Sequence, residues 1–172
     1  MKIYITGFMG SGKSTYGKEL AEAIGYGFVD LDTEIEKQAG ATIPDIFKDK
    51  GEDAFRTEER KALLKTKDLE DTVIATGGGT PCFFENMQWM NENGLTIYLK
   101  LFEGELKRRI EPVMADRPLL KDIDPEELEG FVYKALRKRA FYYHQAKMVI
   151  DPTIVNPEAL SDILLRSAFA AI

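Results

Sequence analysis

The chain has 172 residues, 44% of them apolar and 30% charged, which is the balance of an ordinary folded domain and excludes a disordered or fibrous protein. A single domain spanning 1–172 is expected, because a chain of this length buries roughly 70% of its unfolded surface. The net charge of −6 argues against a nucleic-acid partner, which needs a basic field.

From the amino terminus, Met1 to Thr6 is too short an apolar stretch for a secretory signal, and nowhere does an apolar run reach membrane-spanning length. A cytoplasmic protein with no membrane partner is therefore expected, and it is expected to be a monomer. Lys2–Thr6 reads as the first strand, and Gly7-Phe8-Met9-Gly10-Ser11-Gly12-Lys13-Ser14 follows it with the G-x-x-x-x-G-K-[ST] spacing of a phosphate loop. The glycines let backbone N–H groups converge on a polyphosphate at a helix N-terminus. Gly10, Ser11, Gly12, Lys13, Ser14 and Thr15 are thus candidate nucleotide contacts, with Lys13 on the β- and γ-phosphates and Ser14 on Mg²⁺. The loop alone fits a kinase, a GTPase switch or an ATPase subunit equally well.

The first helix is predicted from Ser14 to Gly25, and the second strand from Gly27 to Leu31. Period-two alternation puts Asp30 and Asp32 on one side of that strand end, one for the metal and one for an acceptor hydroxyl. Thr33 with Glu36 reads as a capping box starting the next helix. Residues 39–67 are charged and helical, an insertion that reads as a mobile lobe. Arg56, in Phe55-Arg56-Thr57-Glu58, is a candidate to grip a carboxylate.

Val73–Thr76 is the third strand. Gly77-Gly78-Gly79 after it suits a backbone that a ligand ring or carboxylate must approach closely, or a plain flexible turn. Cys82, the single cysteine, excludes an internal disulfide and reads as a packed residue, while Phe83, Phe84 and Trp89 read as core on a helix face. After the fourth strand, Thr96–Leu101, Arg108 and Arg109 end a helix where they can stack on adenine or complement the helix dipole. Prolines 112, 118 and 125 break the pattern over 111–124, a candidate lid in which Arg117 can reach transferring phosphate. Asp124 to Glu127 opens a further helix carrying Arg139, a second candidate for the acidic acceptor. His144 has no partner at ligand spacing, Met148–Ile150 is the fifth strand, and Asn156-Pro157 caps a last helix with Leu160, Ile163 and Leu164 on one face.

Strands alternating with helical stretches predict an α/β fold with a parallel sheet. The phosphate loop, Asp30-Leu31-Asp32, Phe55-Arg56 with Glu58, Thr76-Gly77-Gly78-Gly79, Arg117-Pro118-Leu119-Leu120 and Arg139 followed by Tyr142-Tyr143 resemble the shikimate kinase family in order and spacing over nearly the whole chain. That resemblance implies a three-layer α/β/α P-loop kinase fold with a five-stranded parallel sheet and a substrate-binding lobe of about 33–67. It also implies transfer of the γ-phosphoryl group of ATP to the 3-hydroxyl of shikimate, a step of aromatic amino acid (chorismate) biosynthesis. By match, Asp32 binds the hydroxyl and acts as base, Arg56 and Arg139 hold the shikimate carboxylate, and Gly77, Gly78 and Gly79 line the ring. Lys13 and Arg117 stabilise the phosphoryl oxygens, and Ser14 and, through water, Asp30 serve Mg²⁺. The rivals are another P-loop kinase, for gluconate or a nucleoside monophosphate, and a nucleotide-binding module without turnover.

Overall fold

The computed structural model describes residues 1–116, 119–120 and 122–169. Five strands, β1 (Lys2–Thr6), β2 (Gly27–Asp30), β3 (Thr72–Ala75), β4 (Leu95–Leu99) and β5 (Met148–Ile150), form one sheet in the order β2-β3-β1-β4-β5, every pair parallel. The β-branched and aromatic side chains of these short runs alternate between two buried faces, as a sheet covered on both sides requires. Ile3 and Ile5 point to a core shared with Val73, Ile97 and Leu99, while Tyr4 and Ile74 point to the opposite core.

Helices α1 (Lys13–Ile24) and α7 (Pro157–Phe169) cover the first face, where Leu20 and Leu160 are fully buried. Helices α2 (Leu31–Ala39), α3 (Ile43–Lys65) and α4 (Asn86–Asn93) supply the second core through Ile35, Leu63 and Met87. A third cluster joins Phe8 of the phosphate loop and Tyr98 of β4 to α5 (Glu103–Ile110) and α6 (Leu128–Tyr143), with Leu106, Val132 and Tyr143 at its centre. Among the described residues no helix is long and apolar enough to cross a membrane.

The architecture agrees with the expected three layers and five parallel strands, with differences at element ends. The chain leaves β2 at Asp30 and turns at once into α2, so Asp32 sits in the first turn of a helix rather than on the strand. The expected capping box at Thr33 is not the helix start: the Asp30 side chain caps α2 instead, accepting from the N–H groups of Asp32 and Thr33 at 3.0 and 3.4 Å. Asp124 accepts from Glu126 N–H at 2.9 Å as a capping aspartate should, but the chain makes a turn before α6 begins at Leu128. On α7 Asn156 caps as expected, accepting from Ala159 N–H at 2.8 Å, and Leu160 is buried, whereas Ile163 is 47% exposed. Phe83 and Phe84 lie in the loop before α4, not on a helix, and Phe84 is exposed.

The strand order reverses direction beside β1: the chain passes from β1 out to β2, returns to β3, and later adds β4 on the other side. In open parallel sheets the crevice beyond the carboxyl ends at such a point is where ligands bind. The loops after β1, β2 and β3 all open there.

Candidate active site

The loop after β1 carries the phosphate pattern. Gly12 takes a left-handed conformation (φ 89°), which turns the chain into α1 and leaves the helix N-terminus facing the crevice. Lys13 folds back over this loop, donating from Nζ to Phe8 O at 3.0 Å. An open pocket of about 520–790 Å³, counted with its solvent mouth, lies on each side of the crevice; the larger is walled by Gly10, Gly12, Lys13, Ser14 and Thr15 and by Arg109 across from them. Ser11 is buried beneath the loop, its hydroxyl without a hydrogen-bond partner. Glu105 receives both Arg108 and Arg109, and their N–H bonds draw its pKa down to about 2. Arg109 thereby faces the phosphate loop, while the Arg108 side chain is 73% exposed.

Asp30 connects three parts of this region. One carboxylate oxygen accepts from the Ser14 hydroxyl at 2.5 Å, and the other caps α2. The side chain that faces the expected metal ligand therefore also fixes the helical turn bearing Asp32. Ser14 Oγ and Asp30 Oδ2 are hard oxygens at the rim of a phosphate cradle, the donor type that suits Mg²⁺, which takes the rest of its shell from phosphate and water.

The second pocket lies between the glycine loop after β3 and helices α2, α3 and α6. Asp32, Met9 and Gly78 line both pockets, so Asp32 stands in the wall they share. Arg56 on α3 is 4% exposed and lies over the Phe83 ring at 4.4 Å. Its Nη1 donates to Glu59 at 2.9 Å, and its Nε and Nη2 both donate to a single oxygen of Glu52 at 3.2 and 3.0 Å. Glu59 is 1% exposed and is satisfied a second time by the Thr80 hydroxyl at 2.6 Å, as a buried carboxylate requires.

The three glycines line this pocket, and the protein itself is what they admit. A Cβ on Gly77 would stand 2.5 Å from Glu59 Oε1 and 3.1 Å from Asp32 Oδ1, and one on Gly79 would stand 2.6 Å from both terminal nitrogens of Arg56. A Cβ on Gly78 would press on the backbone of Met9 at 3.0 Å. The expectation of close approach holds, but the neighbours are the site's own side chains and the phosphate loop.

Arg139 on α6 reaches the same pocket from the opposite side, its guanidinium 5.3 Å from the Phe8 ring centre. Its Nη1 is buried and has no hydrogen-bond partner. One helical turn on, Tyr143 donates to Gly78 O at 2.5 Å and stacks on Tyr98, tying the helix that bears Arg139 to the glycine loop. Burial pushes the Tyr143 phenol well above its ordinary range, so it remains a donor. Cys82, beside the glycine loop, has its thiol pushed up to about 11 by burial, against the pull of Arg139 and Arg56.

The fold thus brings together Lys13, Ser14, Asp30, Asp32, Arg56, Gly77 to Gly79, Arg109 and Arg139. Arg117 lies outside the described residues. The glutamate that accompanies Phe55-Arg56 in the site is not Glu58, which is on the solvent side and paired with Lys61 at 2.8 Å, but Glu59, the buried partner of Arg56. Helical spacing holds the signal, since a residue three positions on shares a face with Arg56 and one two positions on does not. Glu52, Thr80, Ile43 and Phe47 carry no motif signal in the sequence, and Phe55 and Leu119, present there only as motif members, complete the apolar wall. His144 is exposed, its ring edge against Tyr98.

A phosphate cradle and a second, arginine-lined hollow meeting at one carboxylate, on this strand order, define a P-loop kinase. The shikimate kinase family profile matches residues 9–168, and the chain belongs to that family of ATP-dependent kinases. It is similar to a shikimate kinase of Parabacteroides distasonis, with 44% identity over 87% of each chain. Among solved structures it resembles shikimate kinase from Bacteroides thetaiotaomicron (40% identity, TM-score 0.82, 88% and 86% of the two chains covered). It likewise resembles the Acinetobacter baumannii enzyme in complex with shikimate (33% identity, TM-score 0.86, 99% and 93% covered).

Proposed function

We propose that this chain transfers the γ-phosphoryl group of ATP to the 3-hydroxyl of shikimate, giving shikimate 3-phosphate and ADP, in aromatic amino acid biosynthesis. The observation that carries the reading is Asp32 in the wall shared by the two pockets, where it touches both the nucleotide side and the acceptor side. Phosphoryl transfer asks little covalent work of a protein: it needs the donor and the attacking hydroxyl in line, and charge held at the transferring oxygens. Asp32 orients the hydroxyl and accepts its proton, with its backbone fixed by the Asp30 cap. Lys13 moves from Phe8 O to the transferring phosphate oxygens, and the backbone N–H groups of the phosphate loop with Arg109 hold the remaining phosphates. Arg117 contributes charge to the same oxygens, and about 111–124 is the lid that excludes water, as about 33–67 is the acceptor lobe.

Ser14 and Asp30 are the residues that would hold Mg²⁺, which when bound neutralises phosphate charge and orients the polyphosphate. The unpaired buried Nη1 of Arg139 supports an acidic acceptor, because a carboxylate supplies the partner that this atom lacks. Arg56 is the second guanidinium for that carboxylate, and Gly77, Gly78 and Gly79 leave the ring its floor. Both pockets are lined by residues of one chain, which supports a monomeric enzyme. A net charge of −6 and the reliance on ATP support a cytoplasmic protein with neither nucleic-acid nor membrane partners.

Phosphorus NMR of the product formed from ATP, Mg²⁺ and shikimate tests the regiochemistry and the metal together. A single new phosphate ester coupled to the proton at C3, lost on chelation of Mg²⁺, is expected. An ester at another position, or undiminished turnover in excess chelator, would overturn the respective assignment.

A further inference from the structure

The two arginines of the acceptor pocket are not in the same condition. Arg139 carries a buried N–H without a partner, whereas Glu52 and Glu59 between them hold Nε, Nη1 and Nη2 of Arg56. The two glutamates differ in how firmly they are fixed. Glu59 is 1% exposed and is also bound by Thr80, so its removal from Arg56 would strand a buried charge. The Glu52 side chain is 44% exposed and has Arg56 as its one ion-pair partner among the described residues. It presents a single oxygen to the Nε and Nη2 fork, which matches a carboxylate through both of its oxygens.

The backbone next to Glu52 is also distinct. Gly51, immediately before it, breaks α3 with φ 78° and ψ 176°, so Glu52 opens the second half of the helix instead of sitting within an unbroken one. A Cβ at Gly51 would meet nothing within 4 Å, so packing does not dictate that break. Behind Glu52 lies a separate hollow, lined by Glu52 itself, Lys134, Lys138 and Arg139. Neither lysine has an ion-pair partner among the described residues.

We propose that Glu52 is an internal stand-in for the acceptor's carboxylate. It holds the Nε and Nη2 fork of Arg56 while the pocket is empty, and it is exchanged for the carboxylate on binding, swinging towards Lys134 and Lys138. This rests on the acidic-acceptor reading given above. The exchange trades a one-oxygen pair for a two-oxygen pair and gives the released glutamate two cations to face. It also imposes a cost on binding, because only the fraction of molecules with Arg56 released is competent. Acids are thereby selected over neutral analogues, which cannot displace Glu52 from the guanidinium.

The test compares KM for shikimate and for its methyl ester in the unsubstituted protein, Glu52→Gln and Glu52→Ala. Removal of the competing charge is expected to lower KM for shikimate about 3- to 10-fold, with the gain in KM and absent for the ester. Because Glu52 is half-exposed, neither variant is expected to unfold, and a thermal melt checks this. An unchanged or raised KM for shikimate in folded variants would make Glu52 a buttress of Arg56 and overturn the proposal. An equal gain for acid and ester would overturn it too. Absence of shikimate turnover in the unsubstituted protein is a different outcome: it would remove the functional reading and the exchange along with it.

Discussion

Asp30 and Asp32 are two positions apart and do separate work. Asp30 spends both oxygens locally, on Ser14 and on the N-terminus of α2. Asp32 is carried by that turn into the wall between the two pockets. Asp32→Asn keeps the shape but removes the proton acceptor, so kcat is expected to fall about 10²- to 10⁴-fold with ATP affinity nearly unchanged, measured by steady-state kinetics and nucleotide titration. Undiminished kcat would contradict the role. Arg139→Ala removes a charge-assisted contact, and an increase in KM for shikimate equivalent to about 1.5–3 kcal/mol is expected, with a smaller effect on the methyl ester. Cys82, with its thiol at about 11, is expected to alkylate at pH 8 about a hundredfold more slowly than an ordinary exposed thiol. Its labelling rate, followed by mass spectrometry, should still be rising above pH 9.5; a plateau near pH 9 would contradict the shift.

At the scale of elements, the phosphate loop, β1 and β5 were legible because their signals are local: glycine spacing, β-branched runs and a strand that must precede the loop. Alternation alone continues the strand past Asp30 to Asp32, while in the fold the Asp30 side chain starts a helix there. The capping oxygen outcompetes the strand continuation, and only the folded chain, which also sets Asp30 against Ser14, distinguishes the capping carboxylate from Asp32. Asp30→Ala is accordingly expected to destabilise the protein by about 0.5–2 kcal/mol through the lost cap, seen as a lower Tm, and to raise the Mg²⁺ concentration needed for half-maximal turnover. A lower Tm with unaltered Mg²⁺ dependence would leave the cap and discard the metal contact. Glu59 was missed for the reverse reason. Its neighbour Glu58 looked equivalent in the motif, and only helical phase separates the buried carboxylate from the one paired with Lys61.

For the whole molecule, the sheet order makes the site. Because β3 lies between β2 and β1, the loops bearing Asp30, the three glycines and the phosphate cradle open at adjacent carboxyl ends. Arg56 and Arg139 arrive from α3 and α6 on opposite sides, a convergence that no spacing in the sequence states. Nor does the sequence show that the glycines make room for Glu59, Asp32 and Arg56, since close approach by a ligand and by the protein leave the same three letters. The most direct test of this account is ADP release by the purified protein with Mg²⁺-ATP, comparing shikimate, quinate, gluconate, AMP and no acceptor. Turnover dependent on shikimate and far below it with the other four is the expected result. Release driven by gluconate or AMP, or none above the acceptor-free rate with shikimate, would contradict it.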